Sequence, residues 1–265
     1  MKRPRRGSDL GDLGIITDGS LLIRDGIVIE AGSTRRVENL AAARGAIEIN
    51  AAGRVVMPGF VDSHTHLVFP PPSDKAQRQD ALRANRSSTT RRLQGMARSW
   101  FDAMARHGTT TSEVKTGCYP DLVAELKLLR VLLALRIEPL DIIPSFLLNL
   151  PSGAALNYVD HLCRTFLPAI RSRGMIRFAD VAWEEGPAAL RYLESAREMG
   201  LPRKVHAAGT ASGAIEAAVR YRAVSVDHIE TASLRDADLL AGSSTIATLL
   251  PGGGCGGKRF APRGC

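Results

Sequence analysis

Two histidines separated by one residue, His64 and His66, have the clearest capacity for chemistry in this sequence. They lie in the segment VDSHTHL, residues 61–67, directly after a short apolar run. Side chains two positions apart on a β-strand point to the same face, so both imidazoles can bind one metal ion. The alternative is a pair of surface imidazoles in a turn. The apolar run and the MPGF segment before it favour the metal site.

Two further histidines follow later apolar runs, His206 in RKVHAA and His228 in VSVDHIE. Active sites of parallel β/α barrels collect at the carboxyl ends of the strands. We therefore expect four of the six histidines to converge at one end of such a barrel. The other two, His107 at a helix end and His161 in a helix-like stretch, are expected to be structural or solvated.

The elements that must position these histidines are short apolar runs that alternate with helical stretches from Phe60 onward, a pattern typical of βα units and a parallel sheet. Strands are predicted over residues 60–64, 110–115, 141–146, 178–183, 204–207, 224–228 and 245–250. Apolar residues at helical spacing predict helices over residues 122–135, 188–199 and 211–221. A closed barrel of this kind has eight strands, so we predict an α/β fold, an incomplete (β/α) TIM-type barrel of about seven strands.

The first part of the chain has a different pattern. Two short apolar runs joined by the Asp-Gly pair at 25–26 predict a β-hairpin. A further strand is predicted over residues 46–50, and the Pro-Gly pair at 58–59 marks a break. We predict a small β region, composite or sandwich-like, over residues 1–57, and the incomplete barrel over residues 58–265.

Composition indicates a globular protein, since 45% of the 265 residues are hydrophobic. No run of about 18 apolar residues appears, and the basic N-terminus leads into Asp and Gly rather than an apolar segment. We expect neither a membrane partner nor a secretory signal, and a cytoplasmic location. The four cysteines are scattered without a C-x-x-C pair, which argues for reduced thiols rather than a zinc ribbon or disulfides.

The net charge of +8 raises the question of a nucleic-acid partner. Four of the positive charges lie within residues 2–6 and three within residues 258–263, which leaves +1 for the rest of the chain. Between its basic ends the chain has nearly equal numbers of positive and negative charges, so it lacks the one-sided basic surface of nucleic-acid binders. Aromatic residues, which stack on bases, make up only 5%. We therefore expect no nucleic-acid partner.

Six segments resemble the successive strand motifs of a known family: MPGFVDSHTHLVF, GTTTSEVKTGCYPDLVAELKLLRVL, FADVAWE, KVHA, VSVDHIE and ATLLPGG. Together they are similar to imidazolonepropionases, a branch of the metal-dependent amidohydrolase superfamily. The resemblance covers about residues 15–262. It implies a hydrolase of C–N bonds in cyclic amides that converts imidazolone propionate to N-formimino-glutamate in histidine degradation, with this small molecule as the partner.

The resemblance also implies roles for the histidines. His64, His66 and His206 would be the ligands of one divalent metal ion, zinc or iron, and His228 would be the catalytic imidazole. A bound divalent ion lowers the pKa of a water molecule and polarises a carbonyl, while nearby groups move protons. The expected chemistry is metal-assisted hydrolysis.

Several positions depart from the family pattern. The family has Ala-Asp-Glu after the histidine of the fifth strand, where this chain has Ala207-Ala208-Gly209 without the acid. Glu184, which we predict to be catalytic, and Glu230 are the candidate substitute acids; each is alternatively a strand-end carboxylate paired with a base. The histidine that the family has after its third strand is not visible in SFLLNLP.

Three positions are candidates for substrate binding by comparison with the family. Cys118 stands where the family has the tyrosine of KSGYG. The family places an arginine shortly after its H-x-H motif, and Lys75 or Arg78 would serve here. The metal-binding aspartate of the family lies on an eighth strand, which we expect this chain to lack, as in a truncated member.

Three hypotheses remain open. The chain is an active hydrolase of cyclic amides with an altered pocket, or a catalytically impaired metal-binding fragment or pseudoenzyme of the same fold, or a plain basic binding protein. Unpaired strand edges in an incomplete barrel invite association, so a homo-oligomer is a further expectation.

Overall fold

A computed structural model describes residues 7–66, 80, 83–117, 122–136, 139–148, 156–183, 186–207 and 211–250. The chain divides into two units, residues 1–58 and residues 59–265. None of the described helices is both long enough and apolar enough to cross a membrane.

The first unit is built around the predicted hairpin. Strands β1 (Gly19–Arg24) and β2 (Ile27–Ser33) pair antiparallel. Asp25 and Gly26 between them both have positive φ, 52° and 75°. Such a two-residue turn matches the right-handed twist of the strands, which confirms the hairpin. A short helix α1 (Thr34–Glu38) and 3-10 turns at Gly7–Gly11 and Ala41–Ala43 complete the regular structure described in this unit.

The strand predicted over residues 46–50 is wrong, because these residues have no regular structure. Ile47 is 93% exposed and Ile49 is 87% exposed. An alternating apolar pattern becomes a strand only where a neighbouring strand accepts its hydrogen bonds. No strand among the described residues pairs with this segment.

The second unit contains a parallel sheet of seven strands that lie in chain order. The strands are β3 (Phe60–Thr65), β4 (Thr109–Thr116), β5 (Asp141–Leu148), β6 (Phe178–Ala182), β7 (Arg203–His206), β8 (Ser225–Asp227) and β9 (Ile246–Thr248). The prediction of a (β/α) barrel with about seven strands is confirmed. The last two strands are shorter than predicted.

Parallel neighbours need a crossover connection, and helices supply it. The helices of this unit are α2 (Thr90–Arg106), α3 (Leu122–Ala134), α4 (Leu156–His161), a π-helical turn (Leu162–Phe166), α5 (Leu167–Ser172), α6 (Pro187–Glu198), α7 (Ala211–Arg220) and α8 (Leu234–Ala241). In α2, Leu93, Ala97 and Phe101 are spaced by four residues and all buried. This spacing gives the helix one apolar face toward the sheet.

The sheet curls without closing within the part of the chain that is described. Strands β3 and β9 form its two edges and are not hydrogen-bonded to each other. A cavity of about 340 Å³ lies at this seam, lined by residues 60–64, Thr109 and residues 248–250. The seam is next to His64, so the open side of the barrel borders the histidine site.

A tightly packed glycine, Gly117, directly follows strand β4. Gly117 has a φ of +91°, and a Cβ built on it would lie 1.5 Å from the carbonyl oxygen of Leu147. Its N–H donates to Glu125 Oε2 at 2.7 Å. Any side chain at this position therefore displaces backbone of the neighbouring strand.

We expect Gly117→Ala to lower the free energy of unfolding by about 2–5 kcal/mol, the sum of the left-handed backbone cost and of overpacking. Gly174→Ala is the matched control, because Gly174 also has a positive φ, +62°, but open space around its Cβ position. The control should lose only about 1–2 kcal/mol. Urea unfolding of both variants measures the difference; equal losses would contradict the close approach at Gly117.

Candidate metal centre

The four histidines selected from the sequence lie together at the carboxyl ends of three strands. His64 is near the end of β3, His66 follows that strand, His206 ends β7 and His228 follows β8. The ring centroid of His64 is 5.2 Å from that of His66, 4.9 Å from that of His206 and 4.8 Å from that of His228. The rings of His206 and His228 are 4.5 Å apart.

Three of these rings offer nitrogens to a common point. One ring nitrogen from each of His64, His66 and His206 lies within 4.8 Å of the other two. His64 Nε2 and His206 Nδ1 are buried and have no hydrogen-bond partner among the described residues. A buried polar atom without a partner is costly, and an ion bound at this point would satisfy both nitrogens. The donor set suits zinc, which takes neutral imidazole ligands.

The protonation state of the rings also suits a metal ion. Burial, together with the charges of His64 and His206, lowers the pKa of His66 to about 3. Burial, followed by the charges of His64 and His228, lowers the pKa of His206 to about 2. Both rings are therefore neutral at pH 7 and keep a lone pair for a metal ion, which requires deprotonated ligands.

His228 stands beside this triad in an unusual backbone conformation. Its φ is +63°, in the left-handed region that costs a non-glycine residue about 1–2 kcal/mol. Partial burial, and next the charge of His64, lowers the pKa of His228 below its ordinary value. The strained backbone thus presents a neutral imidazole next to the three converging nitrogens.

A buried network of charged side chains lies inside the barrel around the same site. Its members come from strands β4, β6, β7 and β8: Glu113, Lys115, Asp180, Lys204 and Asp227. Lys115 Nζ is 2.5 Å from Asp180 Oδ2 and 3.0 Å from both Glu113 Oε1 and Asp227 Oδ2. Lys204 Nζ bonds Glu113 Oε2 and lies 3.6 Å from Asp227 Oδ2.

The network reaches the histidines through Asp227. His64 Nδ1 is 2.8 Å from Asp227 Oδ2, and Ser225 Oγ donates to Asp227 Oδ1 at 3.0 Å. Burial alone would raise the pKa of Asp227, but the hydrogen bond with His64 and the ammonium groups of Lys115 and Lys204 hold that pKa well below its usual value. Burial alone would lower the pKa of Lys115, but three carboxylates, Asp180 first, raise it. Both groups are charged at neutral pH.

Sequence reasoning missed this network, although its spacing carries a signal. Glu113 and Lys115 are two positions apart on β4, and Lys204 lies two positions before His206 on β7. Residues two apart share a face, so Lys204 points into the barrel with the histidine. Charged residues at alternate positions of a predicted strand were the available clue.

The structure locates the other predicted residues less completely. Lys75, Arg78, Cys118 and Glu184 lie outside the described residues. Glu230 is exposed, and its Oε1 accepts a hydrogen bond from the backbone N–H of Leu250 at 2.7 Å.

The two remaining histidines contact residues four positions away in the chain. His107 follows α2, with Nδ1 2.7 Å from the carbonyl oxygen of Ala103. His161 ends α4, with Nε2 3.4 Å from Thr165 Oγ1. Both are exposed, in contrast to the four clustered rings.

The sheet and the cluster match a known family. The amidohydrolase family profile matches residues 55–250, which cover all seven parallel strands. A solved structure titled as 5-methylcytosine deaminase from Klebsiella pneumoniae, liganded with 5-fluorocytosine, has the same fold with a TM-score of 0.60 and 14% identity. That match covers 86% of this chain and 61% of the deaminase chain. The chain belongs to the amidohydrolase family.

Within the family, this chain is similar to imidazolonepropionases. It is 33% identical to the imidazolonepropionase of Parabacteroides distasonis over 94% of this chain and 67% of that protein. It is 34% identical to the imidazolonepropionase of Symbiobacterium thermophilum over 94% of this chain and 66% of that protein. The chain thus spans about two thirds of the length of these relatives, and the resemblance drawn from the motifs is confirmed.

We expect purified protein to bind one divalent ion per chain and the double variant His64→Ala/His66→Ala to bind none, because one remaining imidazole cannot hold it. The matched control is His107→Ala/His161→Ala, which removes two histidines outside the cluster and should keep the full metal content. Elemental analysis after dialysis measures both. Equal metal content in the two double variants would contradict the assignment.

Proposed function

We propose that this protein is a metal-dependent hydrolase of C–N bonds in cyclic amides. The observation that carries the proposal is the convergence of three imidazoles next to a fourth, with two buried ring nitrogens, His64 Nε2 and His206 Nδ1, that have no hydrogen-bond partner among the described residues. His64, His66 and His206 would hold one divalent ion, zinc or iron. Such an ion supplies a water molecule of lowered pKa and polarises the amide carbonyl.

His228 is the proposed proton carrier. Its ring is neutral because its pKa lies below the ordinary value. A neutral ring nitrogen can accept a proton from the attacking water and then donate it to the leaving ring nitrogen of the substrate. The strained backbone at this residue agrees with such a role, since strain of this kind is concentrated at functional sites.

The proposed substrate is imidazolone propionate, as in the imidazolonepropionase relatives. One water molecule adds across the ring C–N bond, which opens the ring and yields N-formimino-glutamate. Lys75 or Arg78 would pair with the propionate carboxylate, and Cys118 would line the pocket. Glu184 is the proposed acid in place of the missing glutamate after His206.

A metal-binding protein without turnover is the second candidate, and one observation favours it. The residues after His206 are Ala207, Ala208 and Gly209, none of which can move a proton. A single assay distinguishes the hydrolase from the metal-binding protein without turnover. Protein loaded with zinc or iron is incubated with imidazolone propionate, and N-formimino-glutamate is measured by chromatography. The hydrolase should form product only with metal; full metal occupancy without product would favour the non-catalytic protein.

We expect His228→Ala to lower kcat/KM by about 10²–10⁴-fold, the usual effect of losing a proton-transfer group. Metal content should stay near that of the wild type, because His228 is not among the three proposed ligands. His161→Ala is the control for loss of an imidazole and should keep wild-type turnover. If His228→Ala retains full activity, another group carries the proton.

A further inference from the structure

His64 has one ring nitrogen bonded to a carboxylate and one that has no partner in the described part of the chain. Its Nδ1 is 2.8 Å from Asp227 Oδ2, and its Nε2 is buried without a partner among the described residues. The side chain of His64 is 4% exposed and that of Asp227 is 0% exposed, so water does not compete for this contact. The contact joins β3 to β8, strands that are not neighbours in the sheet.

We propose that Asp227 is a positioning residue for the metal centre, whose carboxylate holds the proton of His64 on Nδ1 and so keeps Nε2 free and directed at the metal ion. An ionised carboxylate can only accept hydrogen bonds, so Nδ1 of His64 must be the donor. A neutral imidazole has one N–H, and the other nitrogen then carries the lone pair. A carboxylate behind a histidine ligand typically sets the ring orientation and raises its basicity in this way.

Asp227 is itself held in place by three other contacts. Its Oδ2 is 3.0 Å from Lys115 Nζ and 3.6 Å from Lys204 Nζ, and its Oδ1 accepts from Ser225 Oγ at 3.0 Å. Its backbone is opposite His206 in the register of β7 and β8. The same carboxylate therefore ties one metal-site histidine to the strand pair that presents another.

The charges of the network also point toward this role. Glu113, Asp180 and Asp227 bring three negative charges, and Lys115 and Lys204 bring two positive charges, all buried. The carboxylate of Asp227 contacts His64, so the excess negative charge faces the histidine cluster. Charges in a buried environment interact strongly, and a cation bound among the histidines would balance this excess.

Glu113 provides a matched control for Asp227. Its carboxylate also contacts both lysines, with Oε1 3.0 Å from Lys115 Nζ, and it also accepts from a serine, Ser145 Oγ, at 2.6 Å. Of these two carboxylates, only that of Asp227 contacts a histidine among the described residues. Removal of either carboxylate takes a partner from both lysines, whereas only removal of Asp227 frees Nδ1 of His64.

The experiment compares Asp227→Ala with Glu113→Ala in the full chain. Zinc affinity is measured by competition with a chromophoric chelator, and thermal unfolding is recorded for the metal-free proteins. We expect both variants to unfold at lower temperature. Asp227→Ala should bind Zn²⁺ about 10–100-fold more weakly than the wild type, the usual effect of losing a partner of a ligand histidine. Glu113→Ala leaves this contact in place and should bind Zn²⁺ with an affinity close to that of the wild type.

A second measurement shows directly which ring nitrogen of His64 carries the proton. In ¹⁵N spectra of the metal-free protein, protonated and unprotonated ring nitrogens have distinct shifts, and His64→Gln identifies the signals. We expect the wild type and Glu113→Ala to carry the His64 proton on Nδ1 and Asp227→Ala to show a mixture of tautomers. If an alanine variant does not fold, Asp227→Asn and Glu113→Gln replace the pair, with a smaller loss of affinity expected for Asp227→Asn because it keeps an acceptor oxygen.

The inference rests on the metal centre of the proposed function, but different results would contradict the metal centre and the role of Asp227. Wild-type protein that binds no Zn²⁺ would overturn the metal centre itself. Wild-type binding with equal affinity in Asp227→Ala and Glu113→Ala, or a His64 proton on Nε2 in the wild type, would overturn only the role of Asp227. A loss of Zn²⁺ affinity in Asp227→Ala but not in Glu113→Ala, together with a changed tautomer of His64, supports the role of Asp227.

Discussion

The hydrogen bond between His64 Nδ1 and Asp227 Oδ2 crosses the interior of the barrel and joins strands that are distant in the sheet. Taking charges out of water is expensive, and Asp227 is fully buried. The carboxylate remains ionised because two ammonium groups and the imidazole surround it. The arrangement of the histidines depends on this paired charge, since the ring of His64 is fixed from behind by it.

The geometry of parallel strands explains how the buried charges come to lie next to the histidines. Lys204 and His206 share a face of β7, with the lysine deeper along the strand, and Ser225 and Asp227 share a face of β8. Lys204 pairs with carboxylates one pleat below His206, and Asp227, at the level of His206, joins these charges to the histidines, where two ring nitrogens have no partner among the described residues. The same pleat thus provides a satisfied network and, one step further along the strands, an unsatisfied site that a metal ion can complete.

The fold itself tolerates wide change of sequence, as the 14% identity with the deaminase of the same fold shows. What the imidazolonepropionase relatives share with this chain is more specific, at 32–35% identity for most of those compared. In this chain the histidines converge, while the residues that follow His206, which are Ala207, Ala208 and Gly209, include no acid. Metal binding and proton transfer are separate properties of such a site, because different side chains carry them.

The sequence by itself determined the local features, because each depends on near neighbours: the turn at Asp25, the alternation of strands and helices, and the shared face of His64 and His66. It failed for residues 46–50, where an alternating pattern has no described strand to pair with. Only the tertiary structure decided the buried ion network, since His64 and Asp227 are 163 positions apart and a charged residue in a strand is usually exposed. Whether such a charge is buried depends on which opposite charges the closing sheet brings within about 3 Å, and no local pattern contains that information.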